Sequence, residues 1–173
     1  MSVQEELHEH AQHAHEPFDK RVAATMAIIA AVLAIVSVLG HISATEEIVL
    51  QQRAADQWAF SQAKNIRRYD SEIARDVFRR LPGASAEVTK YEANLNRYER
   101  ETNENQDKAR ELEAERDIRS RQALRLEFGE VFLEISIVFA SLAILSKRRE
   151  LWFASVVGSA AGLVIASSTA LIR

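Results

Sequence analysis

No cysteine occurs among the 173 residues, and only two prolines and five glycines do. Without cysteine there can be no disulfide and no thiolate metal site. With so few helix breakers, and no run that alternates polar and apolar residues over a strand length, the chain predicts an all-α fold. A net charge of −3 leaves no basic footprint for nucleic acid. A glycine-rich phosphate loop, a nucleophile–base pairing and a His-Glu metal helix motif are all missing. The chain therefore reads as non-enzymatic, with no cofactor.

Apolar residues make up 47% of the chain and charged residues 27%, and the two are segregated into blocks. Three uninterrupted apolar runs stand out: Val22–Ala44, Val131–Ser146 and Leu151–Ile172. The first and third reach the ~20 residues a helix needs to cross a ~30 Å hydrocarbon core. The expected organisation is a His/Glu-rich tail at residues 1–21, transmembrane helices at 22–44, 131–146 and 151–172, a short turn at 147–150, and an extramembrane insert at 45–130. The first run is read as an anchor rather than a cleaved signal. It exceeds a signal h-region in length, and the tail before it is acidic, with Glu5, Glu6, Glu9, Glu16 and Asp19.

Basic residues near the span ends predict orientation. Lys20 and Arg21 precede the first span, and Lys147, Arg148 and Arg149 fill the turn between the other two. Both clusters are expected in the cytoplasm, with the N-terminus inside and the insert outside. In a Gram-negative cell the insert would be periplasmic, and Trp152 and Phe153 would form a cytoplasmic aromatic belt.

Within the insert, Leu81-Pro82-Gly83-Ala84 reads as a helix–helix corner. Beyond it, Val88, Tyr91, Leu95, Tyr98, Thr102, Asn105, Ala109, Leu112, Arg116, Arg119, Ala123 and Leu126 keep a 3-4 spacing, a heptad seam with polar breaks. Before it, Ile48, Gln52, Ala55, Ala59, Ala63, Ile66, Ile73 and Val77 share one helical face. Two such arms predict an antiparallel coiled-coil hairpin.

The segment Arg53-Ala54-Ala55-Asp56-Gln57-Trp58-Ala59-Phe60-Ser61-Gln62-Ala63-Lys64 resembles the hallmark stretch of an uncharacterised bacterial membrane-protein family, domain of unknown function 4337. The order of parts is similar too: tail, first span, this motif, charged coiled coil, closing pair of spans. The resemblance implies a bacterial inner-membrane location and no known activity.

Five groups of residues are candidates for function. His8, His10, His13 and His15 lie among glutamates in the tail, a weak metal-binding composition with no single tetrahedral site dictated. Glu134 is the one acidic residue inside a span, and such a group is costly enough to be a functional hypothesis. His41, placed at a similar depth, is its candidate partner. Ala154, Gly158, Gly162, Ala166 and Ala170 recur every four residues, a small-residue stripe for close helix packing, either within the chain or with another copy. Trp58 and Phe60 could pack the hairpin or dock a partner. The leading expectation is a self-associating homo-oligomer in the bilayer that acts as a scaffold or partner-docking module. The alternative is a small oligomeric channel or proton/cation conductor using Glu134.

Overall fold

A computed structural model of the protein describes residues 17–172. It is all-helical: α1 spans Pro17–Phe78, α2 Ser85–Ser146 and α3 Arg149–Ser167, and α3 continues as a 3-10 turn over Ser168–Leu171. Pro17 opens α1, where a missing N–H costs nothing, and Asp19 in the first turn complements the helix dipole. All three helices contain stretches long and apolar enough to cross a membrane.

Both breaks are short. At the first, the helix tightens as Arg80 N–H and Leu81 N–H bond to the carbonyls of Val77 and Phe78. Gly83 then turns the chain at φ +81°, a left-handed conformation that costs glycine little. At the second, α3 already begins at Arg149, so the turn is two residues, Lys147 and Arg148, and not the four of 147–150. Lys147 takes φ 56° there, the left-handed position past a helix end that glycine usually fills.

The chain divides into two compact units: Thr45–Arg119, and the remainder up to Ala44 with everything from Ser120 onward. In the 45–119 unit the two helical segments run antiparallel. Contacts climb one segment as they descend the other: Glu46 to Arg119 at 3.0 Å, Trp58 to Glu113 at 2.9 Å, Lys64 to Glu101 at 2.5 Å and Arg79 to Glu92 at 2.6 Å.

The packed seam of α2 is the one read from sequence, with Val88 through Arg119 buried or half-buried at every seam position. The packed seam of α1 is not. Ile48, Gln52, Ala55, Ala59, Ala63, Ile66, Ile73 and Val77 are all exposed, and the face turned to α2 instead centres on Leu50, Ala54, Gln57, Ser61, Lys64, Arg68, Ser71, Arg75 and Phe78, each buried or half-buried. These also follow 3-4 spacing, but they are small or long-stemmed residues. They fit opposite the bulky side of α2: Phe78 stacks on Tyr91 with centroids 5.6 Å apart, and the Lys64 ammonium lies 5.9 Å from the Tyr98 ring.

The other unit packs the start of α1, the end of α2 and α3 around two small cores. One joins Ile29, Val36, Leu126, Leu133 and Ala166; the other joins Val22, Ala140 and Ala143, with Phe18, Met26 and Trp152 against it. Its outer surface is apolar: Ile28, Ile35, Val38, Phe128, Val138, Leu145, Val157 and Val164 are exposed.

Candidate functional site

The small-residue stripe of α3 meets α2 of the same chain. A Cβ added at Gly162 would lie 2.8 Å from the Gly129 carbonyl oxygen and 2.9 Å from Phe132 Cβ. One added at Gly158 would lie 2.6 Å from Ser136 Oγ, and one at Gly129 2.9 Å from Ala166 Cβ. Ser136 is held in this seam by donating its hydroxyl to the Phe132 carbonyl at 2.7 Å. Backbones approach this closely only where both helices present glycine, alanine or serine.

Ala154 and Ala170 are not in the contact; both are exposed, and Ser155 and Gly158 carry the buried face at that end of α3. The cause is helical pitch. Each four-residue step advances ~40° past a full turn, so the stripe winds ~160° around α3 between its ends. Only its middle three members face α2. Past them, Arg125 donates to the Ser168 carbonyl at 3.1 Å and Gln122 to the Ile172 carbonyl at 3.3 Å, supplying partners to the end of the chain's last helical turn.

Glu134 lies on the outer face of its bundle, beside exposed Val131, Ile135 and Val138. His41 is exposed as well, but the two are not level. A Cβ on Gly40 would touch Leu126 Cβ at 3.6 Å, which sets His41 near residue 126 of the antiparallel neighbour. Glu134 is two helical turns further along α2, ~12 Å at 1.5 Å per residue. Apolar run ends alone place the two at a similar depth, but the part of α2 in this unit starts at Ser120, before its apolar run does.

Trp58 and Phe60 have separate surroundings. Trp58 is half-buried and donates its indole N–H to Glu113 Oε1 of the facing segment. Phe60 is 57% exposed. At ~100° per residue it sits about a third of a turn round α1 from Ile48, Ile66 and Ile73, so it is not part of their stripe. The hydrogen bond from Lys64 holds the Glu101 carboxyl below the usual carboxylate range, with the charges of Lys64, Arg97 and Arg100 adding to it against some desolvation. Its neighbour Asp117 holds the Arg116 guanidinium above its ordinary value through a 2.5 Å contact. Pairs this open to solvent contribute little stability.

His8, His10, His13 and His15 lie outside the described residues, and among the described residues no group of three His, Cys, Asp or Glu side chains could hold a metal ion.

Sequence reasoning expected both basic clusters on one side, but not the side-chain contacts that join the start of α1 to the start of α3. Lys147 Nζ reaches Asp19 Oδ2 at 2.6 Å, and Trp152 donates its indole N–H to Thr25 Oγ1 at 3.2 Å. These contacts bring the two basic clusters, Lys20/Arg21 and Lys147–Arg149, to the same end. A shared end was expected from the sequence; the side-chain contacts that make it are tertiary.

No curated protein and no solved structure matches the chain. The family described as Domain of unknown function (DUF4337) matches residues 18–172, nearly all of the described structure. With the Trp58 segment, both long helices and α3 all inside that match, the chain belongs to the DUF4337 family.

Proposed function

We propose that this chain is a non-enzymatic, self-associating bacterial inner-membrane protein, held by three transmembrane helices, whose residues 45–119 form an antiparallel coiled-coil hairpin that serves as a scaffold or docking module. The observation that carries the reading is the outward stripe on α1. Ile48, Ile66, Ile73 and Val77 are 54–69% exposed, and with Gln52, Ala55 and Ala59 they repeat at near-heptad spacing on the face away from the α2 seam. With its small and long-stemmed face already taken by α2, α1 still carries an apolar stripe without a partner among the described residues of this chain, and such a stripe calls for a second one.

The partner that fits is another copy. Copies inserted in one membrane share their direction, so their α1 stripes meet in parallel and in register, Ile66 on Ile66 and Ile73 on Ile73. Parallel alignment sets Asp56 and Asp70 beside the neutral Gln51 and Asn65 of the other copy, whereas an antiparallel one would oppose Asp56 to Asp70. The apolar outer surface of the other unit supports the membrane part of the reading, because exposed patches this extensive mark membrane or protein contact.

Light scattering of the detergent-extracted protein tests it. The wild type should give a dimer or larger assembly, and Ile66→Glu/Ile73→Glu should lower the mass with unchanged helicity. A monomeric wild type overturns the proposal. The channel alternative draws on Glu134, a carboxylate facing out among apolar side chains. It could line a path only between copies, and it requires ion or proton flux in proteoliposomes that Glu134→Gln abolishes.

A further inference from the structure

We propose that the basic end of the 17–44/120–172 bundle is a binding site for the phosphate of an anionic phospholipid, an inference that rests on the membrane reading above. A cavity of about 570 Å³ opens there, lined by Pro17, Phe18, Arg21, Arg149, Trp152 and Phe153. Two guanidiniums and three aromatic rings around one space are the parts a phosphodiester headgroup calls for. The planar fork of arginine matches phosphate oxygens in pairs, and the rings give an amphipathic wall at the depth where headgroup meets acyl chain.

The walls are held in place. Trp152 stands edge-on to Phe18 at 6.4 Å, lies 5.1 Å from Phe153, and is tied to Thr25 by its indole N–H. The arginines remain available. Asp19, the nearest acid on α1, is engaged by Lys147, and neither Arg21 nor Arg149 has an ion pair among the described residues. Glu150 follows Arg149 but is exposed and lines none of the cavity. Arg149 also begins α3, whose capping residue Arg148 gives no side-chain bond to the first-turn N–H groups, so the helix dipole adds to the attraction. A lipid suits the place better than free phosphate does. Phe153 on the cavity wall and Val157 one turn further are 58% and 67% exposed, a continuous apolar track for an acyl chain below the headgroup.

The chain has two tryptophans, so Trp58→Phe leaves Trp152 as sole reporter. Its fluorescence in vesicles of phosphatidylcholine, with increasing phosphatidylglycerol or phosphatidylcholine brominated on the acyl chains near the headgroup, measures which lipid sits beside it. Brominated phosphatidylglycerol should be preferred by roughly fivefold or more, about what one basic side chain contributes at an anionic surface. Arg21→Gln/Arg149→Gln should bring the ratio near one. Lys20→Gln/Arg148→Gln removes the same charge outside the cavity and should leave the preference in place. Equal loss in both double variants makes this a general surface-charge effect and overturns the site, as does equal quenching by the two lipids in the parent. Loss of the preference on adding millimolar inorganic phosphate overturns the lipid assignment. If neither brominated lipid quenches, it is the membrane reading itself that fails.

Discussion

Within the helices glycine has two distinct meanings, and the distances around each position tell them apart. At Gly162 a methyl group would sit 2.8 Å from a backbone oxygen and 2.9 Å from Phe132 Cβ, so neither obstacle can swing away. At Gly40 the nearest atom would be Leu126 Cβ at 3.6 Å, an ordinary contact. Alanine at position 40 should therefore be neutral or slightly stabilising, since glycine in a helix interior costs ~0.5–1 kcal/mol relative to alanine. Gly162→Ala should lose ~1–3 kcal/mol, the usual penalty for forcing extra volume into a packed contact. Thermal unfolding followed by far-ultraviolet ellipticity in one detergent compares them. A Gly162→Ala midpoint at or above wild type would show that α3 does not pack on α2 through this glycine. Because the contact lies within one chain, the mass of the proposed assembly should not respond to either substitution.

At the scale of the helix, the two arms of the 45–119 unit differ in how readable they were. On α2 the most apolar face is also the packed face, so hydrophobic spacing located Tyr91, Leu95, Tyr98 and Ala109 correctly. On α1 the faces part company. Its packed seam mixes small residues, Ala54, Ser61 and Ser71, with long-stemmed Lys64, Arg68 and Arg75, and Lys64 reaches the ring of Tyr98 on the facing segment. Apolarity was therefore the wrong guide on α1, and the stripe it picked out, Ile48 to Val77, is the one left over. The small stripe of α3 was legible as a packing element, but neither its partner on α2 nor its winding away from Ala154 and Ala170 could be seen without three-dimensional neighbours. Paired substitutions separate the two faces of α1. Ser61 is 3% exposed, and Ser61→Leu should overfill the seam and lower stability by ~1–3 kcal/mol in denaturant or heat. Ala59→Leu, two residues away and exposed, should leave the arm's stability alone and shift the mass equilibrium toward the larger assembly. The reverse pattern would put the apolar face back inside.

For the whole molecule, the proposed membrane reading turns on which side of the bilayer each part occupies. Lys20, Arg21, Lys147, Arg148 and Arg149 come to one end of their bundle, joined by the Asp19–Lys147 contact. Short basic segments at span ends stay on the cytoplasmic side, where translocating them is opposed, while a long segment such as residues 45–119 crosses largely regardless of its charge. On the proposed membrane reading, orientation follows from five side chains at one end of one bundle, and the many charges of residues 45–119 have little say. Because the chain has no cysteine, one introduced thiol reports one position. Ser85 begins α2 at the corner and is exposed, and Glu150 is exposed beside the basic turn. Ser85→Cys should react with a membrane-impermeant maleimide in intact spheroplasts, and Glu150→Cys only after lysis. The opposite pattern would invert the topology, move the hairpin into the cytoplasm and set the cavity between Arg21 and Arg149 against the outer leaflet. Labelling of both in intact cells would mean that the helices lie on the bilayer without spanning it.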